Sequence, residues 1–505
     1  MRSEKALKNM LASLLLQVIV FLSGIILPKF FLEAYGSSVN GMVTSINQFL
    51  MYLGLAEAGV GTASMVALYE PLAHGDKEKT NAVLSATRIF YNRSGFLFLG
   101  LTIGLTVIYP YLITEQLEST LVRSMILVLA SSMLVDYFFL GKYKAFLTAK
   151  QKGYIVVSIQ SVGTVVNMVI TIVLILQGAP VVLTKAVATG VYILRFFAVR
   201  WYVKRSSPDV DYHSKPDMSA LHQRGAALLH QIVGIIVNNT DVVLLTICLG
   251  ARSLIEVSVY GIYNMIVYAL NMLLTSFSNG LTAGFGEVIS KNEQEVLKKS
   301  FSSYEYMYMM ILFVIIGCMA VLILPFVMVY TQNVQDADYV RPMAAWLFVL
   351  IVFLQNIRMP GQTIICAAGH FKETKRQAIL EAVINVGVSL LLIWKWGLVG
   401  VLVGTVCSYG YRSIEILIYN NKHLVLNSGK QTTKRLLRNI LVSGILILIG
   451  MKVIPQAMDS FVVWFLYAVL SAGAMVMSLL GINYVCEPQE FKALLGRVKV
   501  IWKRT

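Results

Sequence analysis

The chain has 505 residues, of which 57% are hydrophobic and only 13% charged, and it carries a formal net charge of +16 at pH 7. A soluble globular protein has roughly 25% charged residues. This composition excludes a soluble domain and predicts an all-helical integral membrane protein.

A helix needs about 20 mostly apolar residues to cross a bilayer. Fourteen segments qualify, approximately 9–32, 43–67, 89–113, 121–141, 155–177, 180–201, 226–249, 258–284, 304–330, 343–366, 377–395, 397–418, 437–455 and 460–484. No small-x-small cleavage site follows the first, so it is expected to stay as a span rather than be removed as a signal peptide.

Several spans carry a polar stripe at helical spacing. Span two shows Asn47, Gly54, Glu57, Gly61 and Ser64, and span five shows Gln160, Thr164, Asn167 and Thr171. Span seven interrupts its apolar run with Asn238, Asn239, Thr240 and Asp241, and Gln231, Gly234, Asn238 and Asp241 share one face. Span eight aligns Asn264, Tyr268, Asn271, Thr275, Ser278 and Thr282. In span ten, Gln355, Arg358 and Gln362 share a face beside Pro360-Gly361, where a proline can kink the helix.

Hydroxyl and glycine stripes are first of all helix–helix contacts. An aspartate near a bilayer centre costs about 2.5–3.5 kcal/mol on insertion scales, so Asp241 and Glu57 point to a wet internal cavity. A buried ion pair is the competing explanation. Arg93, Arg195 and Arg412 lie near one end of their spans, where snorkelling accounts for them, and Arg412 has Glu415 three residues on. Arg358 is the stronger candidate for meeting substrate. Asp136 and Glu381 either pair with these arginines or shuttle protons.

Lysines and arginines alternate along the chain. There are 31 in the termini and even-numbered loops, 7 at the odd loops and 4 inside spans. Positive charge stays cytoplasmic, so both termini are expected inside. The basic balance therefore reflects topology and does not point to nucleic acid. The five scattered cysteines predict neither a disulfide framework nor a metal cluster. The sequence lacks GxxxxGK[ST], HExxH and GxSxG, and "NSGKQTT" at 427–433 lacks the leading glycine of a phosphate-binding loop. No cofactor, metal or catalytic residue is expected.

The first six spans and the next six share landmarks. Asn167 and Asn385, Pro110 and Pro325, Arg195 and Arg412, and Gly41 and Gly261 are separated by 218, 215, 217 and 220 residues. An even number of spans per half makes this a parallel repeat, a transporter arrangement with the substrate site between halves. The expected organisation is a first lobe at 1–215, a second at 216–425, and two further helices with a basic cytoplasmic tail at 426–505.

The stretch "AYGSSVNGMVTSINQFLMYLGLAEAGVGTASMVALYEPLAHGDKEKTNAVL" (34–84) resembles the N-terminal signature of bacterial polysaccharide repeat-unit exporters. "NNTDVVLLTICLGARSLIEVSVYGIYNMI" (238–266) is similar to their seventh and eighth spans. The chain thus resembles the multidrug/oligosaccharidyl-lipid/polysaccharide (MOP) exporter superfamily, in its Wzx-type O-antigen and capsule branch.

The resemblance implies a flippase of the bacterial cell membrane. It would move undecaprenyl-diphosphate-linked oligosaccharide to the outer leaflet by alternating access, using an ion gradient or the membrane potential. Its partners would be that lipid-linked substrate, membrane lipids and other polysaccharide-assembly membrane proteins. Substrate-cavity candidates are Asp241, Asn238, Gln231, Asn264, Asn271, Glu57, Arg358, Gln355, Gln362, Arg412, Arg195 and Arg93. Coupling candidates are Asp241, Glu57, Asp136 and Glu381. A lipid II or teichoic-precursor flippase is an alternative, although span one lacks that branch's arginines and Gln17 is its only strongly polar mid-span residue. A multidrug antiporter of the same superfamily is a second alternative. A membrane glycan polymerase or acyltransferase is a remote one, and polymerases of that kind tend to carry large outer loops.

Overall fold

The computed structural model describes residues 2–57, 60–113, 116–218, 225–278, 281–426 and 429–491. Among them every regular element is a helix. Twelve helices are long and apolar enough to cross a membrane. One of these, Leu7–Leu53, holds the first expected span and the start of the second, whose remainder lies in Gly54–Glu57 and Val60–His74, and α8 (Gly225–Cys248) matches the seventh. Each of the fourteen expected segments therefore has a helix, and the chain is a multi-pass membrane protein.

The first compact unit is Met1–Ser258. It begins with α1 (Arg2–Leu53), which is broken at Gly36 with φ 79° and ψ 173°. Only glycine adopts that conformation at low cost, and it separates the first span from the second. A tight turn (Gly54–Glu57) follows α1, and α2 spans Val60–His74. Next come α3 (Lys77–Leu112), α4 (Ser119–Val135), a π turn (Asp136–Leu140) and α5 (Gly141–Ala149). The unit closes with α6 (Gly153–Leu176), α7 (Val181–Ser206), α8 and the start of α9 (Ser253–Ser278). One core joins Met42, Ile46 and Leu50 of α1 to Phe98 and Tyr109 of α3 and Met125 of α4. Helix α8 packs on α1, where Ser45 bonds Thr246 at 2.7 Å and Tyr52 bonds Thr240 at 2.7 Å.

The second unit, Val259–Thr505, repeats this order. The rest of α9 is followed by α10 (Thr282–Ser290), α11 (Gln294–Tyr330), α12 (Pro342–Ile357), α13 (Met359–Ala368), α14 (Lys375–Trp396) and α15 (Leu398–His423). α11 has 37 residues and α3 has 36, and each carries a proline near its end. The fourth span is interrupted by a π turn, and its counterpart is interrupted between α12 and α13. The repeat boundary expected at 215/216 lies within the first compact unit.

Two more helices, α16 (Gly429–Val453) and α17 (Phe461–Cys486), complete the second unit. Arg435, only 1% exposed, joins them to α11. It lies 3.2 Å from Glu305, 2.6 Å from Glu487 and 3.6 Å from Glu490, and it donates to the Ser302 carbonyl at 2.9 Å. Burial pushes the Glu487 carboxyl up, but bonding to Arg435 and Arg438 outweighs it and holds the group below its ordinary value. At the other end Trp464 donates to the Leu322 carbonyl at 3.1 Å.

Burial is inverted relative to a soluble protein. Helix α14 buries Glu381, Asn385 and Ser389 and exposes Val383, Leu391 and Trp394. α16 buries Thr432, Arg435, Asn439 and Ser443 and exposes Leu437, Leu441 and Leu448. In a bilayer apolar side chains are stable outward, and polar groups need partners inside.

Candidate functional site

Pro360 sets the position of the central cation. A proline inside a helix lacks an N–H and crowds the preceding turn, but it is tolerated in the first turn of a new helix. α12 accordingly ends at Ile357, α13 starts at Met359, and Arg358 is the joint between them. Its Nη1 donates to Glu381 Oε1 on α14 at 2.5 Å, and its guanidinium carbon lies 4.7 Å from the centroid of the Tyr409 ring on α15.

Glu381 has a second cation. Its Oε2 lies 3.6 Å from Arg412 Nε on α15, and Arg412 Nη1 is bonded to Glu415 Oε2 at 2.5 Å. The four side chains are 13%, 8%, 6% and 15% exposed in the order Arg358, Glu381, Arg412, Glu415. Charges this buried are tolerated when paired, and two cations against two carboxylates make the chain neutral. The arrangement is chemically suited to exchange. Arg358 can release Glu381 to meet another anion, because Arg412 remains beside the carboxylate.

A neutral ladder lies alongside in the same unit. Asn271 of α9 donates to Gln355 Oε1 at 2.7 Å and accepts from Asn356 Nδ2 at 2.6 Å. Tyr308 of α11 donates to Asn356 Oδ1 at 3.2 Å. The Tyr304 hydroxyl donates to Ser278 at 2.7 Å.

Some expected residues therefore come together: Arg358 with Glu381 and Arg412, and Gln355 with Asn271. Gln355, Arg358 and Gln362 do not act as one face, because the helix is interrupted between them. Gln355 turns to α9 and Arg358 to α14 and α15, while Gln362 is half-buried on α13. Asn264 is half-buried on α9. Asn356, Tyr308 and Tyr409 were not expected. Asn356 lies off the stripe that periodicity selects, although its place between Gln355 and Arg358 was a usable signal.

In the first unit Asp241 is 4% exposed on α8 and lies within electrostatic reach of Tyr52. Its neighbours Asn239 and Thr240 bond back to the carbonyls of Ile235 and Ile236. Arg195 does not snorkel. It is 8% exposed, donates to Thr164 at 3.0 Å and presses on Gly163 of α6, where a Cβ would collide with its Nε. Arg93 is exposed on α3, as are Phe96 and Leu97. Asp136 pairs with Lys144 at 2.7 Å, across the π turn, and not with an arginine. The expectations for Glu57, Gln231 and Asn238 fall on side chains outside the described residues. Among the described residues no cluster of three or more His, Cys, Asp or Glu has metal-binding geometry.

No protein-family model and no curated protein matches the sequence. Solved structures do match it. A structure described as the lipid II flippase MurJ in an inward closed conformation aligns with a TM-score of 0.66 at 14% identity, covering 95% of this chain and 99% of the other. An inward-facing multidrug resistance MATE family transporter of the MOP superfamily aligns with a TM-score of 0.62 at 14% identity, covering 87% and 96%. An outward-facing one gives 0.55 at 13% identity, covering 86% and 96%. The shared property is the fold.

Proposed function

We propose that this chain is a flippase for an undecaprenyl-diphosphate-linked oligosaccharide, of the O-antigen or capsule repeat-unit type. One observation carries this reading. The likeness to a lipid II flippase leaves uncovered a share of this chain shorter than α16 and α17 together, so it extends into those helices. The MATE transporter aligns over a smaller share of this chain, 87% against 95%. The structure that aligns along nearly the whole chain, added helices included in part, is thus one named for a lipid-linked cargo.

The chemistry is compatible. The diphosphate and glycan cannot cross hydrocarbon, whereas the polyprenyl tail can remain in it. Arg358 offers a planar fork suited to phosphate oxygens. Cargo diphosphate would take Arg358 from Glu381 while Arg412 holds the carboxylate. Asp241 and Glu381 are the coupling groups in this reading, drawing on an ion gradient or the membrane potential. Both termini lie in the cytoplasm of a bacterial cell, following the basic loops.

A second reading has its own support, since the protein matched along nearly the whole chain is itself named for lipid II. Against it stands span one, where no arginine or lysine lies between Lys8 and Lys29. Deletion of the gene separates the two. The proposal expects undecaprenyl-diphosphate oligosaccharide to accumulate on the cytoplasmic leaflet while lipid II translocation continues. Arrested lipid II translocation with normal oligosaccharide export would replace it with the second reading.

A further inference from the structure

Arg412 and Arg435, the buried cations described in the second unit, have carboxylate partners, whereas in the first unit half-buried Arg88 and Lys142 and exposed Arg200 stand close together without one. Arg88 lies on α3, Lys142 on α5 and Arg200 on α7, and no carboxylate among the described residues pairs with them. Nearby acids are engaged elsewhere: Asp209 with Lys77 at 2.8 Å, Asp136 with Lys144, and Asp211 with the His213 backbone N–H at 3.0 Å.

An aromatic bed gathers the three. Tyr143 packs 5.1 Å from Tyr212 and 6.2 Å from Phe196, centroid to centroid. Lys142 Nζ lies 5.4 Å from both tyrosine rings, and the Arg200 guanidinium carbon lies 5.8 Å from Phe196. Arg88 donates to the Tyr212 carbonyl at 3.3 Å, and both arginines act electrostatically on Lys142. Like charges held together raise the energy of the fold unless an anion joins them. The Tyr212 hydroxyl, on a side chain 8% exposed, has no hydrogen-bond partner.

The neighbouring surface selects the anion. Leu194, Phe197 and Trp201 form an exposed apolar stripe on α7, and Phe139 is exposed beside Phe196 at 5.2 Å. Tryptophan marks the headgroup level of a bilayer, and the Arg205 guanidinium lies 5.5 Å from the Trp201 ring. Acyl chains fit the stripe when the phosphate is at the cations. We propose that Arg88, Lys142 and Arg200, set on the Phe196–Tyr143–Tyr212 bed, bind the phosphate headgroup of an anionic phospholipid.

The test uses the full chain with Trp201 as its only tryptophan, reconstituted in phosphatidylcholine vesicles. Brominated phosphatidylglycerol is expected to quench Trp201 at about a tenfold lower mole fraction than brominated phosphatidylcholine. Arg88→Gln, Lys142→Gln and Arg200→Gln together abolish that preference. Lys142→Gln alone lowers it about fivefold, at roughly 1 kcal/mol per surface cation. Arg88→Lys with Arg200→Lys retains most of it, and Lys430→Gln with Lys434→Gln on the second unit leaves it unchanged. Equal quenching by the two lipids, or a preference that stays near its full size in Lys142→Gln, overturns the site. Displacement by millimolar glycerol 3-phosphate overturns the lipid as its occupant.

Discussion

Arg358 and Glu381 are a bonded pair with unequal second partners, and this makes their substitutions differ. Arg358→Ala leaves Glu381 beside Arg412, so the protein should reach the membrane at normal level while glycan export is lost. Arg358→Lys should keep part of the export, because charge remains and the fork does not. Immunoblots and surface glycan from the same cells check both, and full export by the alanine variant would make Arg358 a packing residue. Glu381→Gln instead leaves two buried cations facing each other. Breaking such a pair costs about 3–5 kcal/mol, so protein level should fall together with export. Asp241→Asn keeps shape and removes titration. If Asp241 couples transport, export falls with level intact; if it is half of a buried ion pair, level falls too.

At the scale of elements, breaks and clamps matter more than helix propensity. The Arg358 joint was legible in sequence as a Pro-Gly pair, and the Gly36 break only as the gap between the first two apolar segments. The fourteen apolar segments were legible because each is long and apolar and most are bounded by charge. Side-chain partners across helices were not, since periodicity gives a face and not the neighbour opposite it. Thus Asn271 and Gln355 were each selected, while their bond and Asn356 between them were not. Arg435 was counted as one more cytoplasmic cation, yet it is a buried clamp for α16 and α17. Arg435→Ala strands Glu305 without its cation and frees Glu487 and Glu490 from theirs. An apparent loss of about 3–5 kcal/mol in stability follows. Thermal unfolding in detergent measures this, and an unchanged midpoint would show that the two helices are held by apolar contacts such as those of Trp464.

For the whole molecule, orientation follows from the basic loops and is open to direct measurement. Lys79→Cys in a cysteine-free chain places a thiol on an exposed residue, giving up its 3.8 Å ion pair with Asp76 but keeping the backbone N–H that Asp76 caps at the start of α3. An impermeant thiol reagent should label it in inside-out vesicles and not in intact cells, and labelling from outside would invert the topology. The fold likeness supplies architecture, while the cargo assignment rests on the added helices and the sequence stretch 34–84. Reconstitution tests that assignment most directly. Proteoliposomes holding the purified chain receive fluorescent undecaprenyl-diphosphate oligosaccharide or lipid II on one leaflet, with and without an ion gradient, and a membrane-impermeant quencher reports the other leaflet. The account predicts gradient-dependent appearance of the oligosaccharide lipid on the far leaflet, lost with Arg358→Ala, and at most slow movement of lipid II. Rapid flipping of lipid II with the oligosaccharide lipid left in place would contradict it.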